Sequence, residues 1–91
     1  MNVTRRTFLL LRVGSDRVVE LSCERLFMKF VDAQMDGTTS ALFARLDEEL
    51  AEVSELRLVD TEWLGRDDFR QALDGALDAR RAHGLIVSSR A

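Results

Sequence analysis

The sequence is poor in the residues that build reactive or metal-binding sites. Among its 91 residues there is one cysteine, one histidine and no proline. A single cysteine excludes an internal disulfide, and one cysteine with one histidine cannot supply a structural zinc site. The five glycines are scattered singly, so the sequence has no glycine-rich loop that would hold a phosphate. We therefore predict no metal and no bound cofactor.

Long apolar runs are also missing. The longest runs, such as Phe8 to Leu11, have four residues, whereas a transmembrane helix needs about 20. No basic and then apolar leader with a small-residue cleavage site is visible at the start. We therefore predict no membrane span and a cytoplasmic location.

Charge is distributed unevenly along a chain of formal net charge −3. Residues 1–31 hold six basic and three acidic side chains, whereas residues 32–62 hold two basic and nine acidic ones. Proteins that bind nucleic acids need a basic stripe, so the acidic middle argues against a nucleic acid as the ligand. Two interpretations of the acidic segment stay open: a solvated helix face, or a surface that steers a basic partner.

Hydrophobic periodicity predicts an α/β (α+β) domain with the element order β-β-α-α-β-α-β. We expect a single domain over residues 1–91, in which amphipathic helices pack on a small mixed sheet. Residues 55–60 and 85–89 are expected to pair in parallel through a right-handed crossover. The predicted elements are an N-terminal β-hairpin (7–13 and 17–21, with a turn at 14–16), helices at 23–35, from 39 or 40 to about 53, and 67–82, and strands at 55–60 and 85–87.

Three local predictions accompany this fold. A strand from 25 to 31 is the alternative to the first helix, because short mixed runs are ambiguous. Ser22 is expected to cap that helix only partly, since Arg25 stands where a capping box has glutamate. The second helix is amphipathic, and Glu49 is expected on its solvent face.

Few residues are candidates for chemistry. His83 lies at a predicted helix end, where it complements the helix dipole, and Cys23 lies on an apolar helix face, where a free cysteine acts as a small hydrophobe. The segment Asp60-Thr61-Glu62-Trp63 follows a predicted strand, where α/β sheets bind ligands. Asp60 and Glu62 are a candidate acid/base pair, or they line a solvated turn. Trp63 is core, or a binding hot spot if exposed.

We therefore expect a non-catalytic module that binds a protein or peptide. The hairpin strand 17–21 would offer an open sheet edge to an extended peptide, or to a second copy of the chain in a homodimer. The residues predicted to bind the peptide are Arg17, Val18, Val19, Glu20 and Leu21. Candidates for the floor of an adjoining groove are Phe27, Phe30, Phe69 and Leu73.

The sequence resembles the PqqD-like elements that recognise leader peptides of ribosomally made, modified peptides. The resemblance comprises Leu9-Leu10-Leu11, residues 17–22, Asp36-Gly37-Thr38 before a helix, and Asp67-Asp68-Phe69 leading to Gly84-Leu85-Ile86. It implies that a leader peptide adds a strand to the N-terminal sheet and lies against the last helix. The first helix and the β-like stretch 55–60 depart from that pattern.

A second resemblance is to the STAS domains of anti-sigma-factor antagonists. It rests on the turns 35–39 and 63–69, and it explains the strand-helix-strand end of the chain. It implies a regulatory domain that binds a partner protein. Arg66 or Asp67 stands where that family has a phosphorylatable serine, so the resemblance does not carry over a phosphorylation switch.

Overall fold

The computed structural model describes the backbone of residues 10–13 and residues 18–89 in full. It confirms the predicted element order, with an added 3₁₀ helix after the third strand. Residues 7–9, the turn 14–16 and Arg17 lie outside the described residues. The elements are β1 (Leu10–Val13), β2 (Val18–Ser22), α1 (Cys23–Asp36), α2 (Thr39–Leu50), β3 (Glu55–Val59), the 3₁₀ helix (Thr61–Gly65), α3 (Asp67–Arg81) and β4 (Ile86–Ser89).

The segment for which both a helix (23–35) and a strand (25–31) are considered is a helix, because its apolar residues recur at helical spacing. Cys23, Leu26, Phe30 and Ala33 are the buried residues of α1 and fall on one face of it. The helix ends at Gly37, whose φ of 72° lies in the left-handed region that glycine adopts at no steric cost. The alternative of a strand over 25–31 is therefore wrong.

The described strands form one mixed sheet in the order β1-β2-β3-β4. β1 pairs antiparallel with β2, whereas β2 pairs in parallel with β3, and β3 in parallel with β4. The parallel pairing of 55–59 with 86–89 confirms the predicted crossover. Because the strands follow one another in order and such crossovers are right-handed, α1, α2 and α3 lie on the same face of the sheet.

Burial along the strands agrees with this two-layer arrangement. Val19, Leu21, Leu56 and Leu58 are buried and belong to one apolar cluster with residues of all three helices. The alternating positions point to the other side of the sheet, where Arg57 Nη1 lies 3.6 Å from Glu20 Oε2 and Ile86 is 61% exposed. The helix residues of the cluster are Cys23, Leu26, Phe30, Leu46, Leu50, Phe69, Leu73 and Leu77.

Glu49 does not lie on the solvent face of α2, as the sequence predicts, but is only 7% exposed. The physical reason is that α2 packs against both α1 and α3, so its buried stripe is wider than a single apolar row. Glu49 Oε2 lies 3.8 Å from Arg45 Nε, one turn earlier in the same helix. The aliphatic part of Glu49 thus extends the stripe formed by Leu46 and Leu50.

Candidate functional site

Strand β2, which carries most of the predicted peptide site, is not a sheet edge. It lies between β1 and β3, with Val18, Val19, Glu20 and Leu21 in register with residues 55–58 of β3. Val19 and Leu21 are also buried against the helices. The prediction of an open edge at residues 18–21, for a peptide or for a second copy, is therefore wrong, because β3 occupies the side that it needed.

Three of the predicted groove residues, Phe30, Phe69 and Leu73, belong to the core. Phe69 is fully buried and Leu73 is 1% exposed, both on the face of α3 that packs on the sheet and on α1. Their hydrophobicity signals core packing, and the expected groove at these two positions is wrong. A partner therefore has to contact other residues.

Asp60 lies where the carboxyl end of β3 meets the start of α1. Its backbone is left-handed (φ 44°), a conformation that aspartate adopts more readily than most residues. Its carboxylate accepts hydrogen bonds from the amides of Cys23 (2.7 Å) and Glu24 (3.3 Å) and from the Ser22 hydroxyl (2.9 Å). Asp60 therefore caps a helix that is distant in sequence.

This arrangement completes the partial cap that the sequence predicts at Ser22. The Ser22 hydroxyl accepts a hydrogen bond of 3.2 Å from the Arg25 amide while it donates to Asp60. The first turn of a helix leaves its amides without intrahelical partners and favours a negative charge. Asp60 supplies the acceptors for the Cys23 and Glu24 amides together with the charge. A glutamate at position 25 would instead accept from the Ser22 amide in a local capping box.

The Cys23 side chain lies in the core beside this cap and is not a nucleophile. Burial, together with the negative charges of Asp60 and Glu62, raises the pKa of its thiol from 9.0 to about 12. A nucleophilic cysteine needs the opposite environment, one that stabilises the thiolate. The prediction that Cys23 acts as a small hydrophobe agrees with its position in the core cluster.

The 3₁₀ helix presents an aromatic and charged surface at the carboxyl end of the parallel strands. We call Phe27, Glu62, Trp63 and Arg66 the Trp63 surface. The rings of Phe27 and Trp63 are 5.3 Å apart, and the Arg66 guanidinium lies 5.2 Å from the centroid of Phe27. Phe27 and Trp63 are half-buried, whereas Glu62 and Arg66 are exposed.

A rigid base supports this surface. Phe27 also packs edge-on against Phe69 at 5.4 Å, and Phe69 lies 5.4 Å from Phe30 in the core. Trp63 is anchored at the other end, because Asp60 fixes the start of the 3₁₀ helix to α1. Trp63 is thus partly core and partly accessible, which leaves the predicted hot spot open.

The sequence analysis singled out Asp60, Glu62 and Trp63, but it did not place Phe27 or Arg66 beside them. Glu62 and Trp63 lie on the Trp63 surface, whereas the Asp60 side chain is directed to the start of α1. A signal for Phe27 was available, because it flanks the buried stripe of α1 rather than lying within it. Nothing local to Arg66 indicates its contact with a ring on another helix.

Shallow clefts lie beside the helices among the described residues. One, of about 320 Å³, lies between α1 and α2, and another, of about 200 Å³, lies at the carboxyl ends of α2 and α3 and includes Arg80 and His83. His83 is exposed there. Within the same part of the chain, no group of three or more acidic, histidine or cysteine residues is arranged to hold a metal ion.

Comparisons with known proteins find no counterpart: no family model matches the chain, and neither the curated proteins nor the solved structures include a match. Within residues 10–13 and 18–89, no helix has both the length and the apolar character that a bilayer crossing requires.

Proposed function

We propose that this chain is a non-catalytic regulatory domain that binds another protein through the Trp63 surface, as the STAS resemblance implies. The observation that carries the proposal is the position of β3 inside the sheet, parallel to both β2 and β4. This position places the 3₁₀ helix at the carboxyl ends of two parallel strands, the edge at which α/β sheets bind ligands.

The composition of the Trp63 surface supports a protein partner. Tryptophan and arginine are enriched among the residues that dominate binding energy at protein interfaces. Here both contact Phe27, and the ring contacts beneath hold them in place. A surface that is ordered before binding loses less side-chain entropy on association.

Strand addition at residues 17–21, which the PqqD-like resemblance implies, has less support. The leader peptide would have to displace β3 from the register that joins Val18–Ser22 to Glu55–Val59. That displacement would expose Leu56 and Leu58, which are buried in the core. A peptide that binds this chain by β-strand addition therefore needs another strand.

An enzyme that uses Asp60 and Glu62 also has less support. Both carboxylate oxygens of Asp60 accept hydrogen bonds from the first turn of α1. Proton transfer to Asp60 would weaken the cap that they form. Glu62 is exposed and contributes to the Trp63 surface.

We place the proposed regulatory domain in the cytoplasm, where an unpaired thiol such as Cys23 stays reduced.

Site-specific photo-crosslinking in the native host tests this function. A photoreactive phenylalanine analogue replaces Glu62 in the full chain, and the same analogue replaces exposed Asp74 on α3 as the control. We expect a crosslinked protein that is specific to position 62 and that mass spectrometry identifies. Equal products at both positions, or none at position 62, would contradict the proposal.

The partner that the crosslink identifies is then purified. Calorimetric titration with it measures the contribution of each residue to the binding affinity. We expect Trp63→Ala and Arg66→Ala each to weaken binding by at least about tenfold, as expected for interface hot spots. Arg70→Ala, at an exposed position of α3, is the matched control for arginine and should bind like the native chain. Native affinity in a folded Arg66→Ala variant would exclude this surface as the binding site.

A further inference from the structure

After Glu24, one face of α1 is apolar where a solvent-facing helix surface is expected to be charged. Met28 is 58% exposed and Met35 is 82% exposed, and half-buried Val31 lies between them. Their spacing of i, i+3 and i+7 places all three on one stripe, opposite the buried stripe of α1. This is the spacing with which an amphipathic helix enters a partner's groove. We call Met28, Val31 and Met35 the methionine stripe.

The charges beside the methionine stripe change sign along the helix. Arg25 and Lys29 lie in the first half of α1, and Asp32 and Asp36 lie in the second half, all on the same flank of the stripe. When two identical helices pack antiparallel, each flank meets the same flank of its partner, running in the opposite direction. The basic half of each helix then faces the acidic half of the other.

We infer that the methionine stripe binds a second copy of this chain, through an antiparallel pairing of two α1 helices about a twofold axis near Val31. Met28 of each copy then packs on Met35 of the other. Lys29 lies level with position 34 of the second copy, between its Asp32 and Asp36. A parallel pairing would instead set this charged flank against the opposite flank of the second copy, so the basic and acidic halves would not meet.

The contact between two α1 helices is small. α1 has 14 residues and is therefore about 21 Å long at about 1.5 Å per residue. Two such helices bury less than the roughly 1,200–2,000 Å² of a typical stable interface. We therefore expect a weak dimer that exchanges with monomer.

Sedimentation velocity from micromolar to millimolar protein tests the pairing. We expect the native chain to shift from monomer to dimer, and Met35→Glu to raise the dissociation constant by at least about tenfold. Gln71→Glu adds the same charge at an exposed position of α3 and should dimerise like the native chain. A native chain that stays monomeric, or equal weakening by both variants, would overturn the inference.

Charge exchange tests the complementarity of the two halves. One variant carries Arg25→Glu with Lys29→Glu, and the other carries Asp32→Lys with Asp36→Lys. We expect each alone to be monomeric, because its α1 flank has charge of one sign, and an equimolar mixture to form heterodimers. If the mixture stays monomeric, or if each variant still forms homodimers, the antiparallel charge match is wrong.

Disulfide formation tests the orientation. In the antiparallel pairing, residue 28 of one copy lies level with residue 35 of the other. The two copies of residue 28 are therefore offset by seven helical positions, about 10 Å along the axis, which is too far for a disulfide. Met28→Cys and Met35→Cys should therefore crosslink when mixed under oxidation, and neither should crosslink alone. Crosslinking of Met28→Cys with itself, in preference to the mixture, would contradict this orientation.

Discussion

The carboxylate of Asp60 accepts a hydrogen bond of 2.7 Å from the amide of Cys23, and this bond joins the end of β3 to the first turn of α1. The two residues are 37 positions apart in the chain. The same carboxylate holds the start of the 3₁₀ helix that carries Trp63. The cap is thus a structural support for the proposed binding surface as well as for the fold.

Replacing Asp60 by alanine should lower the free energy of unfolding by about 1–3 kcal/mol, since a helix cap and charge-assisted hydrogen bonds are both lost. Asp60→Asn keeps one acceptor oxygen and tolerates the left-handed backbone, so it should cost less. Urea denaturation followed by circular dichroism measures both. An alanine variant as stable as the native chain would show that the cap contributes nothing.

Local pattern predicts the helices of this fold well, because their signals lie within a few residues. Asp67 and Asp68 begin α3, basic residues end it, and Gly84, with a φ of 102°, follows it. The strands β2 and β3 are also predicted from their alternation. The pairing of β2 with β3 is not predicted, because the contact of Val19 with Leu56 depends on a crossover of more than thirty residues.

The candidate site shows the same limit. Asp60 stands out in the sequence because it follows a strand, yet its role depends on an amide that lies far away in the chain. Ser22 indicates only part of the helix cap, since the other acceptor, the Asp60 carboxylate, follows a different strand. The predicted groove failed because Phe69 and Leu73 are apolar at helical spacing, which signals burial and does not distinguish a groove from a core.

The buried thiol of Cys23 should make stability depend on alkaline pH. Folding raises its pKa from 9.0 to about 12, so the folded state favours the protonated thiol. The resulting stabilisation is complete below pH 9 and is lost as the pH rises towards 12. We therefore expect the free energy of unfolding to fall above pH 9, measured by urea denaturation at successive pH values.

Leu46→Ala and Leu73→Ala should each lower the free energy of unfolding by about 2–5 kcal/mol, because each substitution leaves a cavity in the core. Both side chains are nearly or fully buried. Met35→Ala is the control, since its 82% exposed side chain should cost less than about 0.5 kcal/mol in dilute protein. Equal costs at Leu46 and Met35 would show that the core is misplaced.

The ion pair between Glu20 and Arg57 tests whether the second face of the sheet is solvated. The two residues are register partners on β2 and β3, and their charged atoms lie 3.6 Å apart. A double-mutant cycle with Glu20→Ala and Arg57→Ala should give a coupling of about 0.2–1 kcal/mol, as for exposed cross-strand pairs. Because the Arg57 side chain is 36% exposed, the coupling should weaken as salt is added. A coupling of several kcal/mol that resists salt would instead require that another layer covers this face.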